Sequence, residues 1–212
     1  MKSIFLMVVI ALILIFQNIC GAAEIHEDFF NGNESLKYPV VKVGNAAIER
    51  KINTAIIAEI DRFTTAIYRN AQVNGCEVAG LWTNYEIGSN EAGNTIILSV
   101  LMTESSYFKG AAHPSTYLHA LNFNLSSGEL MDINYLLEVG EGLKEGYLIE
   151  RLEKNLRKKV KREKLFLFED ALPLKKLPDN FYWDKNLHVH FIFQQYEVAP
   201  YAVGIIDVDI DE

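Results

Sequence analysis

Cysteine is almost missing from this chain: Cys20 and Cys76 are the only two in 212 residues. Cys20 sits in an apolar leader, so Cys76 is left without an intramolecular partner, and no disulfide holds the fold together. A single cysteine beside a predicted strand is expected as a small buried residue. Positive charge is in deficit, with 20 Lys and Arg against 28 Asp and Glu, a formal net charge of -8. That balance excludes nucleic acid as the expected partner. Low-complexity tracts and internal repeats are absent, and 50% hydrophobic with 23% charged residues is ordinary for a globular domain. The chain also lacks G-x-S-x-G, H-E-x-x-H, a phosphate-binding loop and a dinucleotide fingerprint. A strained-turn serine nucleophile and the common cofactor cradles are thereby left out. Carboxylates are plentiful, but a glycosidase pair is defined by its separation in space, which spacing along the chain does not give.

One apolar run is present, at the start. Met1-Lys2-Ser3 gives a minimal positive start, Ile4 to Phe16 is unbroken and apolar, and Cys20-Gly21-Ala22-Ala23 is a patch of small residues. The pattern predicts a signal peptide over 1–23, cleaved after Ala23 to leave Glu24 first. The run is shorter than the ~20 residues of a spanning helix. An uncleaved anchor or a lipid on Cys20 are the alternatives, although Gln17-Asn18-Ile19 fits the lipidation signal poorly. The expected location is secreted or periplasmic.

Residues 24–212 suffice for a single core. Glu24 to Lys37 is polar and predicted as a loose lead-in, followed by a short strand from Tyr38 to Val43. Asn45 can cap a helix whose apolar stripe is Ile48, Ile52, Ile56, Ile60, Phe63 and Ile67, ended by Asn74-Gly75. Cys76 to Ile87 and Thr95 to Phe108 form a predicted hairpin, and Ser115 to Asn124 a further strand. Glu129 to Met131 can pair back, and Asp132 can cap a short helix to Leu137. Gly142 to Lys164 is a second long helix with Leu148, Leu152, Leu156 and Val160 inward. Its second half is basic, from Lys154 to Lys164, which suits either a solvated face near a helix C-terminus or a patch for anionic wall polymers.

The last stretch alternates. Phe181-Tyr182-Trp183 is a short aromatic strand and Asp184-Lys185-Asn186 a turn. Leu187 to Phe193 places Leu187, Val189, Phe191 and Phe193 on a core face and His188, His190 and Ile192 on a wet one. Tyr201 to Ile210 is expected to return as the final strand. The whole predicts an α+β fold, an antiparallel sheet with two long amphipathic helices packed on it. It divides into a strand-helix-hairpin part to about residue 109 and a C-terminal part over 110–212.

Gly110-Ala111-Ala112-His113-Pro114, Leu121 to Leu125, Ser127 to Leu130 and Tyr196-Glu197-Val198-Ala199-Pro200-Tyr201-Ala202 together resemble a family of secreted bacterial domains of unknown function. That family forms the end of the extracytoplasmic anti-sigma-V factor, a lysozyme receptor, and also sits beside peptidoglycan deacetylase domains. The resemblance implies a non-catalytic binding domain of the cell envelope. Its implied partner is lysozyme or another cationic extracytoplasmic protein, or else peptidoglycan. The receptor's cytoplasmic segment and spanning helix have no counterpart in this sequence, so a soluble binder is the expectation.

Gly110, His113, Pro114, Tyr196, Glu197, Pro200 and Tyr201 are the candidate binding residues. Gly110 permits unusual backbone angles and Pro114 stiffens the exit, so the stretch suits either a plain bend or a recognition loop. Tyr196 and Glu197 suit either corner packing or direct contact. His188 and His190, at i and i+2, leave a strand on one side and are the metal candidates, with His119, His113 or Glu197 as a third ligand. No cofactor and no essential metal are expected. An enzyme, a metal-dependent cell-wall hydrolase, is the lesser reading.

Overall fold

The computed structural model describes residues 21–90, 96–139 and 144–212. The expected leader thus lies, through residue 20, outside the described residues. Among the described residues no helix is long and apolar enough to cross a membrane.

The first strand is a surprise. β1 (Glu24–Phe29) pairs antiparallel with β2 (Lys37–Lys42), where a loose lead-in was expected. Only Ile25 and Phe29 of β1 are even partly buried, so its alternation is too faint to see in sequence. The backbone of β2 supplies the partner that makes it a strand.

Helix α1 (Ala46–Asn74) follows expectation. The Asn45 side chain accepts from the backbone N–H groups of Ala47 and Ile48, and Gly75 ends the helix at φ 63°. Ile52, Ile56 and Ile60 are fully buried against Leu98, Val100, Met102 and Phe123. Each such side chain contributes about 1.5–3 kcal/mol on leaving water. Those partners lie on β4 (Ile97–Phe108) and β5 (Ser115–Asn124), which with β3 (Val78–Asn90) form an antiparallel sheet in the order β3-β4-β5. Cys76 is exposed rather than buried, because it follows the helix end and precedes the strand.

A second sheet carries β6 (Phe181–Trp183), β7 (Val189–Phe193) and β8 (Ile206–Asp209). Two of its boundaries differ from expectation. Leu187 has φ 64° and belongs to the turn, so β7 begins at Val189. Tyr201–Val203 is a 3-10 turn followed by Gly204 at φ 82°, so β8 begins only at Ile206. Phe181, Phe191, Phe193, Ile206 and Val208 pack under Leu148, Leu152 and Leu156 of a helix, Glu145–Glu163. A shorter helix, α2 (Ile133–Val139), precedes it, so the long one is α3; Asp132 Oδ1 accepts from Tyr135 N at 3.0 Å at the start of α2.

The face of the second sheet expected to be wet is half covered. Tyr182 and Ile192 are buried against Leu101, with Leu118 and Ala120 beside them. The layers therefore stack as α1, first sheet, second sheet, α3, and the class is α+β.

β5 is the edge of its sheet, yet its outward backbone groups are not left open. Asn180 accepts from Ala120 N and donates to Leu118 O; Gln194 accepts from Leu118 N and donates back to Leu118 O. Gln195 accepts from Thr116 N. Amide side chains complete the ladder where a fourth strand would run. On the basic half of α3, Arg157 pairs with Glu153, Lys159 with Glu163, and Arg162 with Glu163 and Glu212. That pairing supports the solvated-face reading.

Candidate functional site

The two halves of the sequence signature meet in space. The β4–β5 hairpin turns through Gly110, at φ 85°, and brings His113 over the loop that follows β7. The His113 and Tyr201 rings are stacked, with centroids 3.5 Å apart. Tyr201 Oη donates to Pro114 O at 3.1 Å, and Gln195 holds Thr116 just beyond. Pro200, in extended geometry, leads into the 3-10 turn that aims Tyr201 at the hairpin. Tyr196 lies 5.9 Å from Tyr201, ring to ring, and its own backbone sits at φ 65°. The residue is 58% exposed. Glu197 Oε2 accepts from Gln194 N at 2.7 Å, so this carboxylate ties down its own loop.

Beside this platform opens a cavity of about 480 Å³ between α1 and the β5 edge, with Glu197 at its rim. Phe63 and Ile67 give it an apolar side, while Arg62, Glu104, Tyr117 and His119 give it a polar one. Glu59 and Arg62 come from α1, Glu104 from β4 and His119 from β5. Arg62 forks onto Glu59 and reaches Glu104 at 3.6 Å, while His119 Nδ1 lies 3.2 Å from Glu59 Oε1. Glu104 is 2% exposed, and its Oε1 has no hydrogen-bond partner. Burial pushes the Glu104 carboxyl up, to about 8, and the neighbouring Glu59 carboxylate adds to the shift. Burial alone would raise Glu59 as well, but hydrogen bonds from Arg62 and the nearby positive charges hold it below its ordinary range. Burial lowers His119.

Sequence reasoning passed over Glu59, Arg62 and Glu104, although a signal existed. Glu59 falls three residues after Ile56 and four before Phe63, on the inward side of α1. Glu104 continues the inward register of Leu98, Val100 and Met102 along β4. A carboxylate in a core register needs a partner or a purpose.

His188 and His190 are held by the second sheet. His190 Nδ1 lies 2.8 Å from Asp207 Oδ1 and His188 Nδ1 3.1 Å from Asp209 Oδ2, both diagonal cross-strand pairs. Tyr182 stacks on His190 and donates to Asp207 at 2.7 Å. Burial would lower His190, but the Asp207 hydrogen bond and the charges of Asp207, Asp209 and Asp184 raise it overall. His119, named above as a possible third ligand, stands instead with Glu59 and Glu104. Among the described residues those three are the only group of ligand-bearing side chains whose donor atoms all lie within 4.8 Å of one another.

Residues 141–211 match a protein family of unknown function, DUF3298. A solved structure of a DUF3298 family member from Bacteroides fragilis is similar to this chain at TM-score 0.53 and 15% identity, over 90% of each chain. A DUF3298 family protein from Pseudomonas aeruginosa is similar at TM-score 0.52 and 13% identity, over 89% of this chain and 88% of the other. At such identities the likeness is one of fold. No curated protein matches the chain.

Proposed function

We propose that this chain acts as a secreted, non-catalytic binding domain of the bacterial envelope, with lysozyme or a similar cationic protein as its partner. The observation that carries the reading is Tyr196, a residue 58% exposed and held at φ 65° on the joined platform. A bulky residue in the left-handed region costs about 1–2 kcal/mol, and here the strain returns little packing. Exposed tyrosine on a backbone fixed in advance is an economical contact residue, since little conformational freedom is lost on binding. The formal charge of -8 favours encounter with a cationic partner. A peptidoglycan-binding accessory role is the second reading, favoured by Tyr117, 46% exposed at the cavity mouth, where a sugar face can stack. Titration calorimetry of the purified chain with lysozyme, and separately with soluble muropeptides, tests both. Heat with lysozyme that fades as salt rises supports the first reading. Heat with muropeptides alone moves the assignment to the second, and silence with both removes the proposal.

A further inference from the structure

Glu59, Glu104 and His119 come from three different elements, yet their donor atoms converge within 4.8 Å. From this geometry we propose that the three side chains form a binding site for a divalent transition-metal ion, zinc in the first place, at the wall of the α1–β5 cavity. Two carboxylates and one imidazole are the oxygen and nitrogen donors that zinc accepts in three-ligand sites with one position left open. The open position would face the cavity lined by Phe63, Tyr117 and Gln194.

The second observation is Glu104 itself. It is 2% exposed, its Oε1 lacks a hydrogen-bond partner, and one of its carboxyl oxygens lies within 4.8 Å of the Glu59 and His119 donors. A buried carboxyl oxygen without a partner is costly, and a metal ion that takes the place of the proton would supply one. Arg62 is the built-in rival. Its guanidinium sits on Glu59 and near Glu104, and its side chain is 54% exposed. The site is independent of His188 and His190, which keep their own aspartate partners. It does not rest on the binding-domain reading.

The test uses the purified chain, freed of metal with a chelator and titrated with zinc chloride. The expected result is one zinc per chain and a raised melting temperature. Glu104→Gln and His119→Gln should each weaken binding by at least about tenfold, the scale seen when even an outer partner of a metal site is removed. Arg62→Gln should tighten it, because the competing cation is gone. Circular dichroism establishes that each variant is folded; should Glu104→Gln fail to fold, the exposed Arg62 and half-exposed His119 variants still decide the matter. Absence of stoichiometric zinc overturns the proposal. So does zinc that survives Glu104→Gln and His119→Gln but is lost in His188→Gln/His190→Gln.

Discussion

His113 lies flat against Tyr201, ring centroids 3.5 Å apart and planes 18° from parallel, joining two loops 88 positions apart in sequence. The same tyrosine donates to Pro114 O, so one side chain fastens the hairpin twice. Tyr201→Phe keeps the stack and loses the donor, and should cost about 0.5–1.5 kcal/mol. Tyr201→Leu loses both and should cost about 1–3 kcal/mol, adding a stacking contribution of about 0.5–1.5 kcal/mol. Urea denaturation of the two variants checks the order; equal effects would mean the stack contributes nothing.

The edge of β5 gives a second expectation. Asn180 and Gln194 together occupy the outward backbone groups of Leu118 and Ala120. Asn180→Ala and Gln194→Ala should each destabilise by about 1–3 kcal/mol, since the strand groups they leave are partly buried and gain no new partner. Amide hydrogen exchange at Ala120 should accelerate in Asn180→Ala, and at Leu118 in Gln194→Ala. Exchange unchanged at both positions would show that the amides are ornament.

Long-period signals were the legible part of this fold. The isoleucine ladder of α1, the Asn45 cap and the leucines of α3 state their geometry locally, and the structure follows them. β1 was not legible, because its strand character comes from β2 and not from its own residues. The covered face of the second sheet was not legible either, since Ile192 between two histidines looks like a lapse in a wet face until Leu101 is laid upon it. At the site, the signature stretches could be named but their meeting could not. Glu104 could have been suspected from its register with Val100 and Met102; that Glu59 and His119 lie opposite depends on packing between elements.

His190 makes stability depend on pH. Its folded pKa is raised, so its contribution is present below the ordinary histidine value of ~6.5 and is lost as pH rises through the folded value. The groups facing it are Tyr182, Asp184, Asp207 and Asp209. Glu104, raised to about 8, acts in the same direction over an overlapping window, so the comparison must be made with a variant. His190→Gln should be less stable at mildly acidic pH, by about 1–3 kcal/mol, because Asp207 loses a partner in a half-buried place. Its stability should also fall less between mildly acidic and mildly alkaline pH than that of the parent. Parallel denaturation curves at both pH values would contradict this. The wet face expected for His190 is half covered, and its side chain is only 18% exposed.

Ala23 bears on where the folded chain should begin. It is buried, its N–H donates to Asn90 Oδ1, and its carbonyl accepts from Asn90 Nδ2, each at 2.7 Å. A chain beginning at Glu24 forfeits both bonds and leaves the Asn90 amide, at the end of β3, without those partners. Chains beginning at Gly21 and at Glu24 should therefore differ by about 1–3 kcal/mol in favour of the longer one. Thermal melts of the two would show this, and coincident melts would mean that the Ala23 contact adds nothing.

Tyr196 separates binding from stability more cleanly than any other residue on the platform. A purely structural residue loses stability when it is cut back, whereas a contact residue loses affinity. Tyr196 sits at φ 65°, a region that glycine enters freely and tyrosine does not. Tyr196→Gly therefore removes the exposed ring and relieves strain in the same step. If the ring only packs on Tyr201, at 5.9 Å, the variant should melt lower and bind as before. If the ring is a contact for a cationic partner, the variant should keep or gain stability and lose about 2 kcal/mol or more of binding to lysozyme. Glu197→Ala cannot discriminate in this way, because Glu197 also holds the N–H of Gln194 and its loss loosens the loop. Calorimetry and thermal melts of Tyr196→Gly, run at low salt where opposite charges attract most strongly, give the two readouts together. Unchanged lysozyme affinity in a stable Tyr196→Gly protein would take the platform out of the interface and leave the Tyr117 cavity as the surface to mutate next.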